Sequence, residues 1–108
     1  MLVLGIAYKK NVDDLRESPA LEILEALIAR GADVAYADPH VPTIPRTRRH
    51  DFALASVDLS PAVVEAFDAV LLVTDHDAFD YDLVRRHARL LVDTRGRYRE
   101  AGGNLVKA

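Results

Sequence analysis

The chain contains no cysteine among its 108 residues. This absence excludes a disulfide framework, a zinc site built on thiolates and a cysteine nucleophile. It fits a reducing compartment, and we expect a cytoplasmic protein. No apolar run approaches the roughly 20 residues that cross a bilayer. No basic stretch precedes the first apolar segment either, so the sequence predicts neither a membrane span nor a signal peptide.

An excess of basic residues is also missing. The chain has 14 Lys and Arg against 17 Asp and Glu, which gives a formal net charge of -3. Proteins that hold nucleic acid through bulk charge are basic, so no nucleic-acid partner is expected. Hydrophobic residues make up 50% and charged residues 29% of the chain, values near the globular average that disfavour disorder and a coiled coil. The length suits one domain.

Three glycine-dependent motifs are absent as well. Gly5 is followed by Ile6, Ala7 and Tyr8, so the first loop has no G-x-G-x-x-G and lacks the glycine that lets a pyrophosphate approach. Neither G-x-x-x-x-G-K-[ST] nor G-x-S-x-G occurs, which leaves no P-loop and no serine nucleophile elbow. A complete dinucleotide site built by this chain alone is therefore disfavoured.

Short apolar runs alternate with amphipathic segments. Strands are predicted in Leu2–Ile6, Val34–Ala37, Phe52–Ser56, Ala69–Val73, Leu90–Val92 and Leu105–Val106. Helices are predicted after the start signals Ser18-Pro19, Ser60-Pro61 and Asp80, the first ending before Gly31 and the others covering Ala62–Phe67 and Tyr81–Arg89. This alternation predicts an α/β fold, a Rossmann-like parallel sheet of five or six strands with helices on both faces.

Ligands of such sheets bind beyond the carboxyl ends of the strands. The loop after the first strand carries Lys9, Lys10 and Arg16 ahead of a helix N-terminus, an arrangement that favours phosphate, although a solvated loop also explains these charges. Arg95 directly follows a predicted strand, where it either reaches a ligand phosphate or only aids solubility.

Two further charged segments are not predicted to bind a ligand. Thr74-Asp75-His76-Asp77 contains metal-ligand types, but adjacent side chains rarely point the same way, so a turn with a capping aspartate is favoured. The basic patch of Arg46, Arg48 and Arg49 is interpreted as a solvated loop. No metal site and no catalytic residue are predicted.

The string GIAYKKNVDDLRESPALEI, residues 5–23, is distinctive as a whole. It resembles the opening of the C-terminal domain of the UDP-glucose/GDP-mannose dehydrogenase family. Later segments follow in the order of that family, namely Asp38-Pro39, Thr74-Asp75-His76 with Phe79, and Asp93-Thr94-Arg95. The resemblance covers essentially the entire chain.

This resemblance implies a function. Members of the family oxidise the C6 alcohol of a nucleotide sugar to a carboxylate in two NAD-dependent steps. They use an N-terminal NAD domain, a central helical domain and a C-terminal domain that binds the nucleotide part, and their nucleophilic cysteine precedes the last. Residues 1–108 are then expected to be one UDP-sugar-binding domain without the NAD and central domains. We expect no turnover from it alone, and a parent enzyme that is a homo-oligomer.

The resemblance also assigns residues by motif position. Tyr8 and Lys9 match the aromatic–lysine pair that contacts the nucleotide sugar, and Arg95 matches the arginine that helps to hold it. Arg16 matches the arginine that reaches the phosphates of NAD. Lys10 stands where bacterial members often have proline. Two segments, Thr74-Asp75-His76 and Asp93-Thr94-Arg95-Gly96, favour the UDP-N-acetylhexosamine branch of the family.

Two alternatives stay open. The chain is compatible with a stand-alone α/β binding or interaction module derived from a truncated dehydrogenase. A receiver-like signalling module is less compatible, because its first strand would end in an acidic cluster, whereas this one ends in Ala7-Tyr8-Lys9.

Overall fold

The computed structural model describes residues 1–7, 11, 18–44, 54–98 and 102–107 of the chain. Within these ranges the strands are β1 (Leu2–Leu4), β2 (Ala35–Ala37), β3 (Val70–Leu72), β4 (Leu91–Asp93) and β5 (Leu105–Lys107). The helices are α1 (Pro19–Ala29), α2 (Pro61–Glu65) and α3 (Tyr81–His87).

The strands form one sheet in the order β2-β1-β3-β4-β5, and every neighbouring pair is parallel. The predicted parallel α/β architecture is confirmed. The chain leaves β1 toward β2 on one side and then returns past β1 to β3 on the other. The strand order therefore reverses between β1 and β3, which opens a crevice at their carboxyl ends.

The third predicted strand, Phe52–Ser56, is reduced to isolated bridges in its described part. Ser56 forms a parallel bridge to Tyr36 on the outer edge of β2, while Ala55 forms an antiparallel bridge to Thr43. Because the segment divides its backbone bonds between β2 and the 42–43 segment, no continuous strand forms there. Phe52 and Ala53 lie outside the described residues.

Helices cover both faces of the sheet, as predicted. Helix α1 packs on one face through a cluster that includes Val3, Ile6, Leu21, Leu24 and Tyr36. Helices α2 and α3 pack on the other face through a cluster that includes Leu2, Leu4, Val64, Leu72 and Val84. Strand β1 is buried on both faces, which explains why its sequence lacks polar alternation.

The ends of α1 follow the predicted signals. Ser18 is the N-cap, and its hydroxyl donates to Ile6 O at 2.5 Å and accepts from Ala20 N at 3.3 Å. At the other end Gly31 has φ +84°, its N–H donates to Ile28 O, and the next N–H donates to Leu27 O. This pair of bonds is a Schellman motif, so a glycine terminates the helix.

The other two helices end earlier than predicted. Helix α3 stops at His87 rather than Arg89, because the Asn104 amide, which precedes β5, donates to Arg85 O at 2.7 Å and Ala88 O at 2.8 Å. Helix α2 covers Pro61–Glu65, a shorter segment than the predicted Ala62–Phe67. No helix in the described ranges is long and apolar enough to cross a bilayer.

Candidate functional site

The candidate site lies where the loops after β1 and β3 meet at the carboxyl edge of the sheet. Gly5 has φ +78°, and a Cβ there would lie 2.2 Å from Thr74 O. Glycine is therefore required both for the backbone conformation and for the close approach of the two loops. The Thr74 hydroxyl donates to Ala7 O at 2.7 Å and ties the loops together.

Asp38, directly after β2, is buried beneath this contact. Its Oδ2 accepts from Ile6 N at 2.8 Å, Ala7 N at 3.3 Å and His76 Nε2 at 2.9 Å, and its Oδ1 accepts from His40 N at 2.8 Å. Burial acts to raise the pKa of Asp38. The hydrogen bonds from His76, Ile6 and His40 outweigh burial and hold this pKa below its ordinary value.

His76 links Asp38 to the first loop. Its side chain is fully buried, and its Nδ1 accepts from Asn11 N at 2.7 Å. Because Nδ1 is an acceptor, the ring is neutral, and its single proton is on Nε2 and is donated to Asp38. The rings of His40 and Phe79 pack against His76, with centroids at 4.6 Å and 5.6 Å.

The hydrogen bonds of Asp38 use groups that a dinucleotide-binding domain would offer to its ligand. In dinucleotide-binding domains the amides after the first glycine face the pyrophosphate, and an acid after the second strand binds a ribose hydroxyl. Here Asp38 is the acid after β2, but its oxygens are already bonded and it takes the amides of Ile6 and Ala7. The geometry gives a second reason, beside the missing glycines, why a dinucleotide is disfavoured.

Arg95 lies in a turn built by Asp93 at the end of β4. The buried Asp93 carboxylate accepts from Arg95 N at 2.8 Å and from Tyr98 N at 2.9 Å. The Arg95 side chain is 47% exposed, and its Nε lies 3.7 Å from Asp75 Oδ1. The structure thus places this arginine at the carboxyl edge of the sheet, beside the loop after β3.

Arg97 is a second arginine of this turn, and sequence reasoning gave it no role. Its Nη1 lies 3.2 Å from Asp77 Oδ1 and 4.0 Å from Asp75 Oδ2, and its guanidinium carbon lies 4.4 Å from the centroid of the Tyr81 ring. Two acids after β3 thus face two arginines after β4. That pairing was visible in the sequence as acidic and basic segments after consecutive strands.

The side chains of Asp75 and Asp77 both approach Arg97, whereas His76 points away from them toward Asp38. Asp75 faces the arginines, His76 faces Asp38, and Asp77 exchanges two hydrogen bonds with the Asn11 side chain, at 2.8 Å and 3.0 Å. Only His76 therefore diverges from the other two side chains of this segment. Among the described residues, no three acidic or histidine side chains form a group that could hold a metal ion.

Tyr8, Lys9 and Arg16, three of the four predicted ligand residues, lie outside the described residues, as do Arg46, Arg48 and Arg49. The structure does describe both neighbours of the segment 8–10. Ala7 is bonded to Asp38 and Thr74, and Asn11 is bonded to His76 and Asp77. Residues 8–10 are therefore bracketed by two anchored positions.

Comparison with known proteins shows consistent similarity. The profile of the UDP-glucose/GDP-mannose dehydrogenase family, UDP binding domain, matches residues 2–100. The chain is 41% identical over 107 residues to a UDP-glucose 6-dehydrogenase of Pseudomonas aeruginosa, covering 90% of the chain and 23% of that protein. It is 36% identical over 96 residues to an NDP-N-acetyl-D-galactosaminuronic acid dehydrogenase of Ralstonia nicotianae, covering 85% of the chain and 21% of that protein.

A solved structure agrees with the fold. The crystal structure of GDP-mannose dehydrogenase from Pseudomonas aeruginosa, in a ternary complex, superposes with a TM-score of 0.72 at 28% identity. The match covers 98% of this chain and 27% of that one. The chain spans about a fifth of the length of the curated relatives that it matches.

Proposed function

The chain belongs to the UDP-glucose/GDP-mannose dehydrogenase family, and we propose that it binds the nucleotide part of a UDP-sugar within an NAD-dependent nucleotide-sugar 6-dehydrogenase. The parent enzyme oxidises the C6 alcohol of the sugar to a carboxylate. The observation that carries this proposal is the position of Arg95, half-exposed at the carboxyl edge of the sheet, where β1 also ends.

Lys9 and Arg95 are suited to a diphosphate. They follow β1 and β4, which are separated in the sheet only by β3. Two strand spacings amount to roughly 10 Å, a gap that a diphosphate and two long basic side chains can span. Lysine and arginine make charge-assisted hydrogen bonds to phosphate oxygens. Tyr8 is proposed as an aromatic contact of the nucleotide sugar.

NAD is assigned mainly to another part of the parent enzyme. In this chain the Asp38 carboxylate accepts from the amides of Ile6 and Ala7, which a dinucleotide would need for its pyrophosphate. Only Arg16 is proposed to reach the phosphates of NAD. The sequence has no cysteine to serve as a nucleophile. The isolated chain is therefore expected to bind without turnover. The relatives include UDP-N-acetyl-D-mannosamine and UDP-glucose dehydrogenases. We propose the UDP-N-acetylhexosamine branch because of Thr74-Asp75-His76 and Asp93-Thr94-Arg95-Gly96. We also propose that the parent enzyme is a homo-oligomer.

Titration with UDP, followed by amide NMR, tests the proposed function. We expect weak, saturable shifts in the wild type, centred on residues 8–10 and 94–97. Lys9→Ala and Arg95→Ala each remove one charge-assisted contact, which typically costs about 1.5–3 kcal/mol, or roughly 10- to 150-fold in affinity. Arg16→Ala is the matched control. It should bind UDP like the wild type, because Arg16 is proposed to contact NAD rather than UDP.

Two results would contradict the proposal. Saturable shifts centred on residues 46–49 would show that the ligand binds a different loop. A wild type without saturable shifts would favour the alternative of a stand-alone interaction module.

A further inference from the structure

We propose that Asp38 and His76 are positioning residues for the UDP-sugar, which act by fixing Ala7 and Asn11, the residues on either side of segment 8–10. The inference rests on the proposed function, because it takes segment 8–10 to contact the ligand. Neither residue is proposed to touch the ligand itself.

The first anchor is Ala7. Its N–H donates to Asp38 Oδ2 at 3.3 Å, and its carbonyl accepts from the Thr74 hydroxyl at 2.7 Å. The preceding N–H, of Ile6, also donates to Asp38 Oδ2 at 2.8 Å. Both polar backbone groups of Ala7 are therefore fixed to buried side chains on neighbouring loops, so the chain enters segment 8–10 from a defined position.

The second anchor is Asn11. Its backbone has φ +63°, in the left-handed region, where asparagine is enriched among the residues other than glycine. Its N–H donates to His76 Nδ1 at 2.7 Å, and its side-chain amide exchanges two hydrogen bonds with Asp77. Three hydrogen bonds to the β3 loop thus fix Asn11 in this backbone conformation.

A neutral imidazole connects the two anchors. His76 must accept from Asn11 at Nδ1 and donate to Asp38 at Nε2, and only the neutral ring offers both functions. Asp38 in turn selects this tautomer, since its carboxylate can only accept. Ala7 and Asn11 are thus held in position before a ligand binds, and preorganisation of this kind raises affinity.

Two substitutions at His76 separate the two hydrogen bonds. His76→Asn keeps an acceptor near the position of Nδ1 but loses the donor to Asp38. His76→Gln keeps a donor near the position of Nε2 but loses the acceptor for Asn11. Both remove the buried ring, so a loss of packing affects both variants. His87→Gln is the matched control, because His87, on α3, pairs with Glu65 away from this edge.

Imidazole and amide ¹⁵N NMR near neutral pH, combined with UDP titration, provides the test. In the wild type we expect the ¹⁵N shifts of His76 to show a proton on Nε2 alone, and the Asn11 amide proton to be strongly downfield. His76→Gln should lose the Asn11 signature and bind UDP about three- to tenfold more weakly, the effect of one hydrogen bond. His76→Asn should keep that signature and stay within about twofold of the wild type, as should His87→Gln.

The same experiment can contradict the positioning role and the proposed function separately. If the wild type binds UDP and both His76 variants bind it equally well or equally poorly, the positioning role is overturned while the proposed function stands. A protonated Nδ1 in the wild type also overturns the positioning role. If the wild type shows no saturable binding of UDP although His76 has the expected tautomer, the proposed function fails and takes the role in ligand binding with it.

Discussion

Gly5→Ala tests whether the meeting of the β1 and β3 loops determines the fold of the site. The new methyl group would lie 2.2 Å from Thr74 O, 2.6 Å from Thr74 Cβ and 2.9 Å from Thr74 C. The first and last of these atoms belong to the backbone and cannot rotate away. Strand β1, or the loop after β3, must therefore shift.

The cost has two parts. An alanine at φ +78° pays about 1–2 kcal/mol for the left-handed conformation. Forcing an extra methyl group into a packed site typically costs about 1–3 kcal/mol more. The sum is about 2–5 kcal/mol, a large part of the roughly 5–15 kcal/mol that stabilises a domain.

Gly31→Ala is the matched control. Gly31 has φ +84°, and a methyl group added there would meet no atom within 4 Å, so its replacement carries the backbone cost alone. With a urea m-value of about 1.5 kcal/mol/M, Gly5→Ala should lower the unfolding midpoint by about 1.3–3.3 M and Gly31→Ala by about 0.7–1.3 M. Equal shifts in the two variants would refute the close approach of the loops.

Two predictions concern pH. The pKa of Asp38 is lowered on folding, so its carboxylate stabilises the fold above the unfolded pKa, and this contribution is lost as pH falls through the folded value. Urea midpoints of the wild type should fall more steeply below about pH 4 than those of Asp38→Asn. Burial raises the pKa of Tyr36 to about 12, and also raises those of Tyr81 and Tyr98. Their contribution to stability should therefore be full below about pH 10 and decline above it. Tyrosinate absorbance should appear at a higher pH than for free tyrosine. Ionisation of all three tyrosines near pH 10 would contradict this prediction.

The sequence predicted the architecture because local signals and the sheet agree. The run Leu2–Leu4 is apolar at every position, and the structure buries it on both faces. Ser18, Pro19 and Gly31 determine the two ends of α1 through bonds within the helix and its caps. Signals of this kind depend on neighbouring residues, so they can be recognised without knowledge of the tertiary structure.

Element ends that depend on distant residues were not predictable in this way. Helix α3 stops at His87 because the amide of Asn104, 16 residues beyond Ala88, takes its last carbonyl groups. In the described part of the predicted strand Phe52–Ser56, bonds to the 42–43 segment leave only isolated bridges. Neither partner can be identified from periodicity or capping residues.

The candidate site combines a position that local signals predict with a contact that they do not. Arg95 follows a strand and lies at the carboxyl edge, as the position of its strand implies. The contact between Asp38 and His76 was missed, although both follow parallel strands. Their meeting depends on the strand order and on Gly5, which lets the loops after β1 and β3 approach each other.

A crystal structure of this chain with UDP would test the central claim most directly. We predict that the diphosphate lies between Lys9 and Arg95, while Asp38 keeps its hydrogen bonds to the amides of Ile6 and Ala7. A diphosphate bound to those two amides in place of Asp38, or a UDP molecule away from the carboxyl edge, for example against Arg85 and Arg86 on α3, would contradict the account.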